Sequence, residues 1–125
     1  MQPVPTAVRA LRGATTVDED IEEHIFERVI ALLEAMFDRN DLDKESLISV
    51  IFTATDDIHA AFPALGARKF GLGDVPLICA RELDIVDGTP MCIRVMMHIE
   101  TERARGELHH VYLEGARGLR DDLPQ

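Results

Sequence analysis

The segment LICARELDIVDGTPMCIRVMMHIE, residues 77–100, carries the strongest structural signal in the chain. Two runs typical of β-strands, residues 77–85 and 91–100, flank the turn sequence VDGTP, and this arrangement predicts a β-hairpin. With a turn centred near Gly88, Glu82 and Arg94 are expected to lie opposite each other, at the contact distance of a cross-strand pair.

Side-chain alternation along the second run separates its two faces. One face is entirely apolar: Ile93, Val95, Met97 and Ile99. Arg94 therefore points away from the core of the hairpin, and Glu82 is expected beside it. From spacing alone, a solvated salt bridge is the commoner outcome for such a pair, and a functional site is the alternative.

The segments before the hairpin predict alternating strands and helices. A strand is expected from about Val4 to Gly13. Thr16 and Glu19 form a capping-box pattern, so a long amphipathic helix should begin there and run to about Arg39. Its apolar stripe is Ile21, Ile25, Val29, Leu32, Leu33, Met36 and Phe37.

The remaining segments complete an α+β pattern. LISVIFTAT, residues 47–55, reads as a strand, and residues 56–71 read as a helical stretch interrupted by Pro63. HHVYLEG, residues 109–115, reads as a last strand, and residues 116–125 as a mobile tail. The prediction is a five-stranded mixed sheet with one long and one short helix.

In the last strand, Val111 and Leu113 should face the core, which turns Tyr112 to the same side as Glu82 and Arg94. One long helix cannot cover both faces of five strands. The second face is therefore expected either to be wet or to be covered by another subunit, and its apolar residues favour the subunit.

Composition narrows the function further. A chain of 125 residues is expected to form a single domain, 1–125. The net charge of −10 argues against nucleic acid and against an anionic membrane surface as partners. The sequence lacks a run of about 18 apolar residues and a secretory leader pattern, so a cytoplasmic location is expected. Cys79 and Cys92 lie in strand-like runs, which favours packed, reduced thiols over a disulfide.

Several segments resemble one known family, the monofunctional chorismate mutases that form trimers with a pseudo-α/β-barrel shape. The resemblance covers nearly the whole chain, with the segments in the family's order. They are RALRGATTV (9–17), ATDDIHAAFPA (54–64), Arg68, VPLICARELDI (75–85), CIRVMMHIET (92–101) and HHVYLE (109–114).

The resemblance implies an enzyme that rearranges chorismate to prephenate without cofactor or metal, as a homotrimer. It implies catalytic roles for three residues: Arg94 at the ether oxygen, Glu82 at the ring hydroxyl, and Arg12 at a substrate carboxylate. Tyr112 also looks like a ligand of the substrate.

The resemblance further implies a binding set drawn from two chains. Phe62 and Arg68 resemble pocket residues of the adjacent subunit, with Cys79 near the substrate ring. Leu119 and Arg120 resemble the family's C-terminal cover.

The chain departs from the family pattern at two places, which leaves substrate affinity open. Leu65 stands where the family has a lysine, and the segment 69–74 is one residue shorter. The main alternative function is a non-enzymatic trimer of the same architecture that senses a small carboxylate. A protein-interaction module that binds basic partners explains the acidic helix but leaves the arginines unexplained.

Overall fold

The protein consists of one five-stranded sheet and two main helices. The structure, a computed structural model, describes residues 5–119. The strands are β1 (Ala7–Thr16), β2 (Leu47–Ala54), β3 (Leu77–Arg81), β4 (Cys92–Thr101) and β5 (Val111–Tyr112). The helices are α1 (Glu22–Asn40) and α2 (Pro63–Ala67), and a π-helical turn, Arg68–Leu72, continues α2.

The strand order is β3-β2-β4-β1-β5, which confirms the predicted five-stranded mixed sheet. Strand β4 lies at the centre and pairs antiparallel with both β1 and β2. The outer pairs, β2 with β3 and β1 with β5, are parallel.

The predicted hairpin of β3 and β4 is wrong, because β2 lies between these two strands. The segment 82–91 that joins them is much longer than the two to five residues of a typical hairpin loop. It contains left-handed backbone at Asp87 and Met91, and it crosses the end of β2. The turn signal at Asp87-Gly88 is therefore a local turn, closed by a hydrogen bond from Gly88 N to Ile85 O, within a longer connection.

Helix α1 covers one face of the sheet and forms the main core with it. Gly13 of β1 lies under this helix, where an added Cβ would come within 2.6 Å of Met36 Sδ and 3.2 Å of Leu32 Cδ1. Strand β1 and helix α1 thus approach closely at the residue that separates Arg12 from Ala14.

Helix α1 begins later than its sequence pattern predicts. Thr16 is the last residue of β1, and its hydroxyl accepts a hydrogen bond from Gly115 N at 2.9 Å. The N-cap is Ile21, which supplies no capping side chain. The predicted capping box is therefore absent, since the sheet and the segment after β5 engage its hydroxyl.

The predicted helix over residues 56–71 is also shorter than expected, because regular helix begins only at Pro63. Proline is favoured at the first helical position, where its missing N–H costs nothing. The preceding segment is a loop held by Asp20, whose carboxylate accepts hydrogen bonds from His59 N and Ala60 N, each at 2.9 Å.

Strand β5 spans only two residues, and the end of α1 holds the chain that leads into it. The buried Asn40 side chain donates to His109 O at 2.8 Å and accepts from His109 N at 2.7 Å. These bonds fix the path of the chain two residues before Val111 and Tyr112.

The second face of the sheet carries no α-helix in residues 5–119, and we call it the helix-free face; a short 3-10 turn, Glu114–Ala116, contributes to a small cluster at one end. Ala14, Cys92, Tyr112 and Ala116 are buried there, and Leu119 packs against them. Elsewhere this face exposes four large apolar side chains: Val8, Ile51, Ile78 and Met96.

Candidate active site

One row of cross-strand neighbours runs across the helix-free face of the sheet. The register places Tyr112 beside Ala14, Ala14 beside Arg94, and Arg94 beside Thr53. On the far side, Thr53 is paired with Ala80 of β3. Arg94 therefore lies in the middle of the sheet, with small side chains on the β1 side and at the β3 edge.

Glu82 reaches Arg94 from beyond the end of β3. Its backbone N–H donates to Ala54 O at 3.0 Å, which continues the parallel pairing of β3 with β2 by one residue. Its carboxylate then turns back over the sheet, and Oε2 lies 3.4 Å from Arg94 Nε. The predicted pairing of these two residues is present, but it spans β2 rather than the two strands of a hairpin.

The carboxylate of Glu82 is also held by Thr53. The Thr53 hydroxyl donates a hydrogen bond of 2.6 Å to the same oxygen, Oε2. Both ends of the ion pair are shielded, since the side chains of Arg94 and Glu82 are only 34% and 25% exposed.

Two polar atoms in this row have no hydrogen-bond partner among residues 5–119. They are Arg94 Nε and the hydroxyl of Tyr112, and both are buried. The contact of Nε with Glu82 is an ion pair at 3.4 Å without hydrogen-bond geometry. Because buried polar groups are nearly always paired in native proteins, two such donors in one row indicate a place for a ligand.

Arg12 projects from β1 on the same face as Ala14, two residues before it along the strand. Its cross-strand neighbour on β4 is Met96, and its side chain is half-buried. The backbone N–H of Arg12 donates to His110 Nδ1 at 3.0 Å, which ties the strand to the segment before β5. Arg12, Arg94 and Tyr112 lie on one face of the sheet, and Leu119 packs against the cluster that contains Tyr112.

Three of the predicted site residues lie elsewhere in the single chain. Cys79 pairs with the core residue Phe52, so it faces the helix side of the sheet, opposite to Arg94. Phe62 and Cys79 line a cleft of about 750 Å³ together with Arg81 and the loop before α2. Arg68 is exposed and does not line this cleft.

A smaller cleft of about 240 Å³ lies beside Glu82, under the loop of residues 83–90. Thr55 and Asp56 line both clefts, so the two adjoin at the end of β2. At this junction the Arg81 side chain donates two hydrogen bonds to Asp56, from Nε to Oδ1 at 2.5 Å and from Nη2 to Oδ2 at 2.6 Å. The bond to Arg81 lowers the pKa of Asp56, so this acid is charged at neutral pH.

Neither cysteine is placed for nucleophilic chemistry. Both are free, and burial raises the pKa of the Cys79 thiol and of the Cys92 thiol. A thiol with a raised pKa is protonated at neutral pH and a poor nucleophile.

Arg120, predicted as part of a C-terminal cover, lies outside the described residues, as does the rest of 120–125. Within 5–119, His, Cys, Asp and Glu form no group of three or more that could hold a metal ion. No helix in that range is long and apolar enough to cross a membrane.

Sequence reasoning missed Thr53. Side-chain alternation places Thr53 on the same face as Ile51 and opposite to Phe52, so its face could be predicted. Its contact with Glu82 could not, because that contact depends on the strand order. The same holds for Asn40 and His110, whose partners are distant in sequence.

Comparison with known proteins identifies the family. The sequence profile of the family "Chorismate mutase type I" matches residues 8–123. The chorismate mutase AroH of Bacillus subtilis is 41% identical over 117 residues, which span 93% of this chain and 92% of that protein. The AroH of Thermus thermophilus is 43% identical over 117 residues, or 93% and 96% of the two chains.

The fold agrees with these matches. A solved chorismate mutase from Clostridium thermocellum superimposes with a TM-score of 0.85 and 42% sequence identity. The alignment covers 87% of this chain and 97% of that one. The chain belongs to the type I chorismate mutase family.

Proposed function

We propose that this chain is an isomerase that converts chorismate to prephenate, a step toward phenylalanine and tyrosine, by an intramolecular Claisen rearrangement. Family membership and the chorismate mutase activity for which the relatives are named support an enzyme over a carboxylate sensor. The main support for the site is the Arg94–Glu82 pair. Arg94 Nε is buried 3.4 Å from Glu82 Oε2 and lacks a hydrogen-bond partner in residues 5–119.

The chemistry of the rearrangement suits an unpaired guanidinium N–H. One C–O bond breaks and one C–C bond forms, and negative charge collects on the ether oxygen in the transition state. Arg94 donates its Nε–H, which has no hydrogen-bond partner within residues 5–119, to that oxygen. This interaction is stronger in the transition state than in the ground state, which is the condition for catalysis.

Glu82 has two roles in this mechanism. Its carboxylate holds the guanidinium by charge, and it accepts a hydrogen bond from the ring hydroxyl of the substrate. The second role gives the acid a purpose in a mutase. A protein that only binds simple carboxylates would gain nothing from an acid at this position, because the acid would repel the ligand.

The remaining residues bind and orient the substrate. Arg12 clamps a carboxylate, because a guanidinium offers two parallel N–H donors to such a group. The unpaired hydroxyl of Tyr112 donates to the substrate, and Leu119 and Arg120 cover the site. The rearrangement uses no cofactor, covalent intermediate or proton transfer, consistent with the raised pKa values of both thiols.

The proposed assembly is a homotrimer of single-domain chains, residues 1–125, with each active site between two subunits. Phe62 and Arg68 enter the site from the neighbouring chain, with Cys79 near the substrate ring. Two observations support this assembly: Phe62 is 66% exposed in the single chain, and the helix-free face exposes large apolar side chains. Such surface is typical of a subunit contact.

Chorismate is the only small-molecule partner in this proposal. The net charge of −10 disfavours nucleic acid and anionic membranes. Two free cysteines fit the reducing cytoplasm, which is the proposed location.

The test is to add chorismate to the purified chain and follow its loss by absorbance, with prephenate identified as the product. The expected result is enzymatic conversion well above the uncatalysed rate. A protein that binds chorismate, detected by calorimetry, without converting it would instead be a sensor.

A further inference from the structure

The hydrogen bond from Thr53 to Glu82 is the shortest contact in the central row of the site. Thr53 Oγ1 lies 2.6 Å from Glu82 Oε2, a length typical of a hydroxyl that donates to a charged oxygen. The strand register places Thr53 between its cross-strand neighbours Arg94 and Ala80. The small side chain of Ala80 leaves room for Glu82 to fold back over the sheet.

This contact determines how the acid meets the guanidinium. Thr53 and Arg94 approach the same oxygen, Oε2, one by a hydrogen bond and the other by an ion pair of 3.4 Å. With Oε2 engaged by Thr53, Arg94 Nε stays close enough for charge attraction, and its N–H has no hydrogen-bond partner in the described part of the chain, 5–119. The other oxygen, Oε1, is then the one presented to a substrate hydroxyl.

We propose that Thr53 is a positioning residue for the rearrangement: its hydroxyl holds Glu82 so that Oε1 meets the substrate and the Arg94 N–H remains available for the ether oxygen. This inference rests on the proposed function. Without the hydroxyl, the carboxylate is free to rotate and to form a direct hydrogen bond with Arg94 Nε. That bond would have to be broken in each turnover, which weakens the stabilisation of the transition state.

The opposing explanation is that threonine stands here only because β-branched residues suit strands. The two explanations predict opposite results for Thr53→Val. Valine keeps the shape and the strand preference but removes the hydroxyl, so a purely structural role predicts a folded protein with full activity.

The experiment compares Thr53→Val and Thr53→Ser with the parent chain in chorismate turnover. Because a hydrogen bond to a charged group is stronger than one between neutral groups, we expect Thr53→Val to lower kcat by about tenfold to a hundredfold, with KM changed less than threefold. Thr53→Ser restores the hydroxyl and should return kcat to within about threefold of the parent.

A double variant tests the route through Glu82. In a Glu82→Gln background, Thr53→Val should lower kcat by no more than about twofold, because the group that it positions has already been changed. The matched control is Thr6→Val, which removes a hydrogen bond of 3.0 Å to Glu100 at an exposed position and should leave kcat unchanged. A folded Thr53→Val protein within twofold of the parent, or losses that multiply in the double variant, would overturn the proposal.

A spectroscopic measurement separates this inference from the proposed function. The ¹⁵N–¹H resonance of Arg94 Nε should shift in Thr53→Val, toward a hydrogen-bonded N–H, and return in Thr53→Ser. If the parent chain fails to convert chorismate, the proposed function is wrong, and this resonance alone decides whether Thr53 sets the Glu82–Arg94 geometry. An unchanged resonance in Thr53→Val would refute that role.

Discussion

Arg94 is the residue on which the proposed mechanism depends most directly. Its Nε atom is buried without a hydrogen-bond partner in residues 5–119, and a buried donor of this kind is costly unless a ligand accepts from it. The nearby carboxylate of Glu82 offsets that cost by charge attraction, without hydrogen-bonding to Nε. A donor held in this way binds the developing negative charge without a prior rearrangement of the protein.

Replacement of Arg94 by alanine should therefore abolish most of the turnover. Loss of one fixed donor to a developing oxyanion costs about 10²–10³ in kcat, and we expect at least this loss for a charged donor. Arg94→Lys keeps the charge but not the planar guanidinium, so it should recover only part of the loss. Chorismate consumption by purified variants measures both effects, with Arg105→Ala as an exposed arginine control. A folded Arg94→Ala protein within threefold of the parent would assign the mechanism to another residue.

Asp20 is a charged residue whose effect should depend on pH. The backbone N–H groups of Ala60 and then His59 hold its pKa below the ordinary value of 3.8. Since the pKa in the folded state is lower than in the unfolded state, the carboxylate stabilises the fold above the unfolded pKa. This contribution is lost as the pH falls through the folded pKa.

We expect Asp20→Ala to lower the melting temperature by a few degrees at neutral pH, since the loop that lines the larger cleft loses its anchor. The difference from the parent should persist down to about pH 4 and shrink below it. Thermal unfolding from pH 7 to acid measures this, with Glu27→Ala as an exposed control on α1. A difference of the same size at all pH values would show that the charge of Asp20 is not involved.

The strands and helices show which parts of the fold can be predicted from the sequence. Alternation predicts the two faces of β4, because side-chain direction in a strand is a local property. Strand neighbours are not local: β2 lies between β3 and β4 because the loop after β3 is long enough to cross it. The sequence predicts the pairing of Glu82 with Arg94, but through a hairpin that does not form: Glu82 reaches Arg94 across β2. Thr53 lies on that intervening strand, so its contact with Glu82 cannot be predicted from local patterns.

Helix ends show the same limit. The apolar period predicts most of the buried stripe of α1, but Ile21 is the N-cap and is 44% exposed, and the buried Phe26 lies outside the predicted stripe. The start of the helix depends on a distant contact, because the hydroxyl of Thr16 accepts from Gly115, 99 residues later in the chain. The other end of α1 illustrates a long-range role that no local pattern indicates. Asn40 joins the helix to the segment before β5, and so it helps to place Tyr112.

Asn40→Ala should destabilise the protein and weaken the site. The change removes a bond from Asn40 Nδ2 to Met36 O and two bonds to the backbone of His109. Backbone groups left unpaired near the core cost about 1–3 kcal/mol each, so the free energy of unfolding should fall by about 2–4 kcal/mol. Urea denaturation measures this change, and Asp38→Ala, exposed on the same helix, is the control. A loss below about 0.5 kcal/mol would mean that water replaces these bonds.

At the level of the whole molecule, the proposed binding site is divided into two parts of the single chain. One half consists of Arg12, Glu82, Arg94 and Tyr112 on the helix-free side of the sheet. The other half is the cleft that Phe62 and Cys79 line on the helix side, with Arg68 exposed on the turn after α2. Because Phe62 and Arg68 lie apart from Arg94 in the single chain, the proposed assembly unites the two halves by contact between chains, and a cyclic trimer repeats that contact three times.

Mixing two inactive variants tests this assembly. If each site takes Arg94 from one chain and Arg68 from the next, Arg94→Ala and Arg68→Ala chains should both have low activity alone. In a randomly mixed trimer, about a quarter of the sites combine an intact Arg94 with an intact Arg68, so about a quarter of the parent activity should return. Turnover of the mixture after subunit exchange measures the recovery. The two variants have the same mass, so one of them is labelled with ¹⁵N, and mass spectrometry of the mixed trimers then confirms the exchange. An Arg105→Ala chain mixed with the parent controls for exchange itself. Activity that never exceeds the average of the two variants, despite complete exchange, would mean that both arginines of a site belong to one chain, or that Arg68 has no part in it.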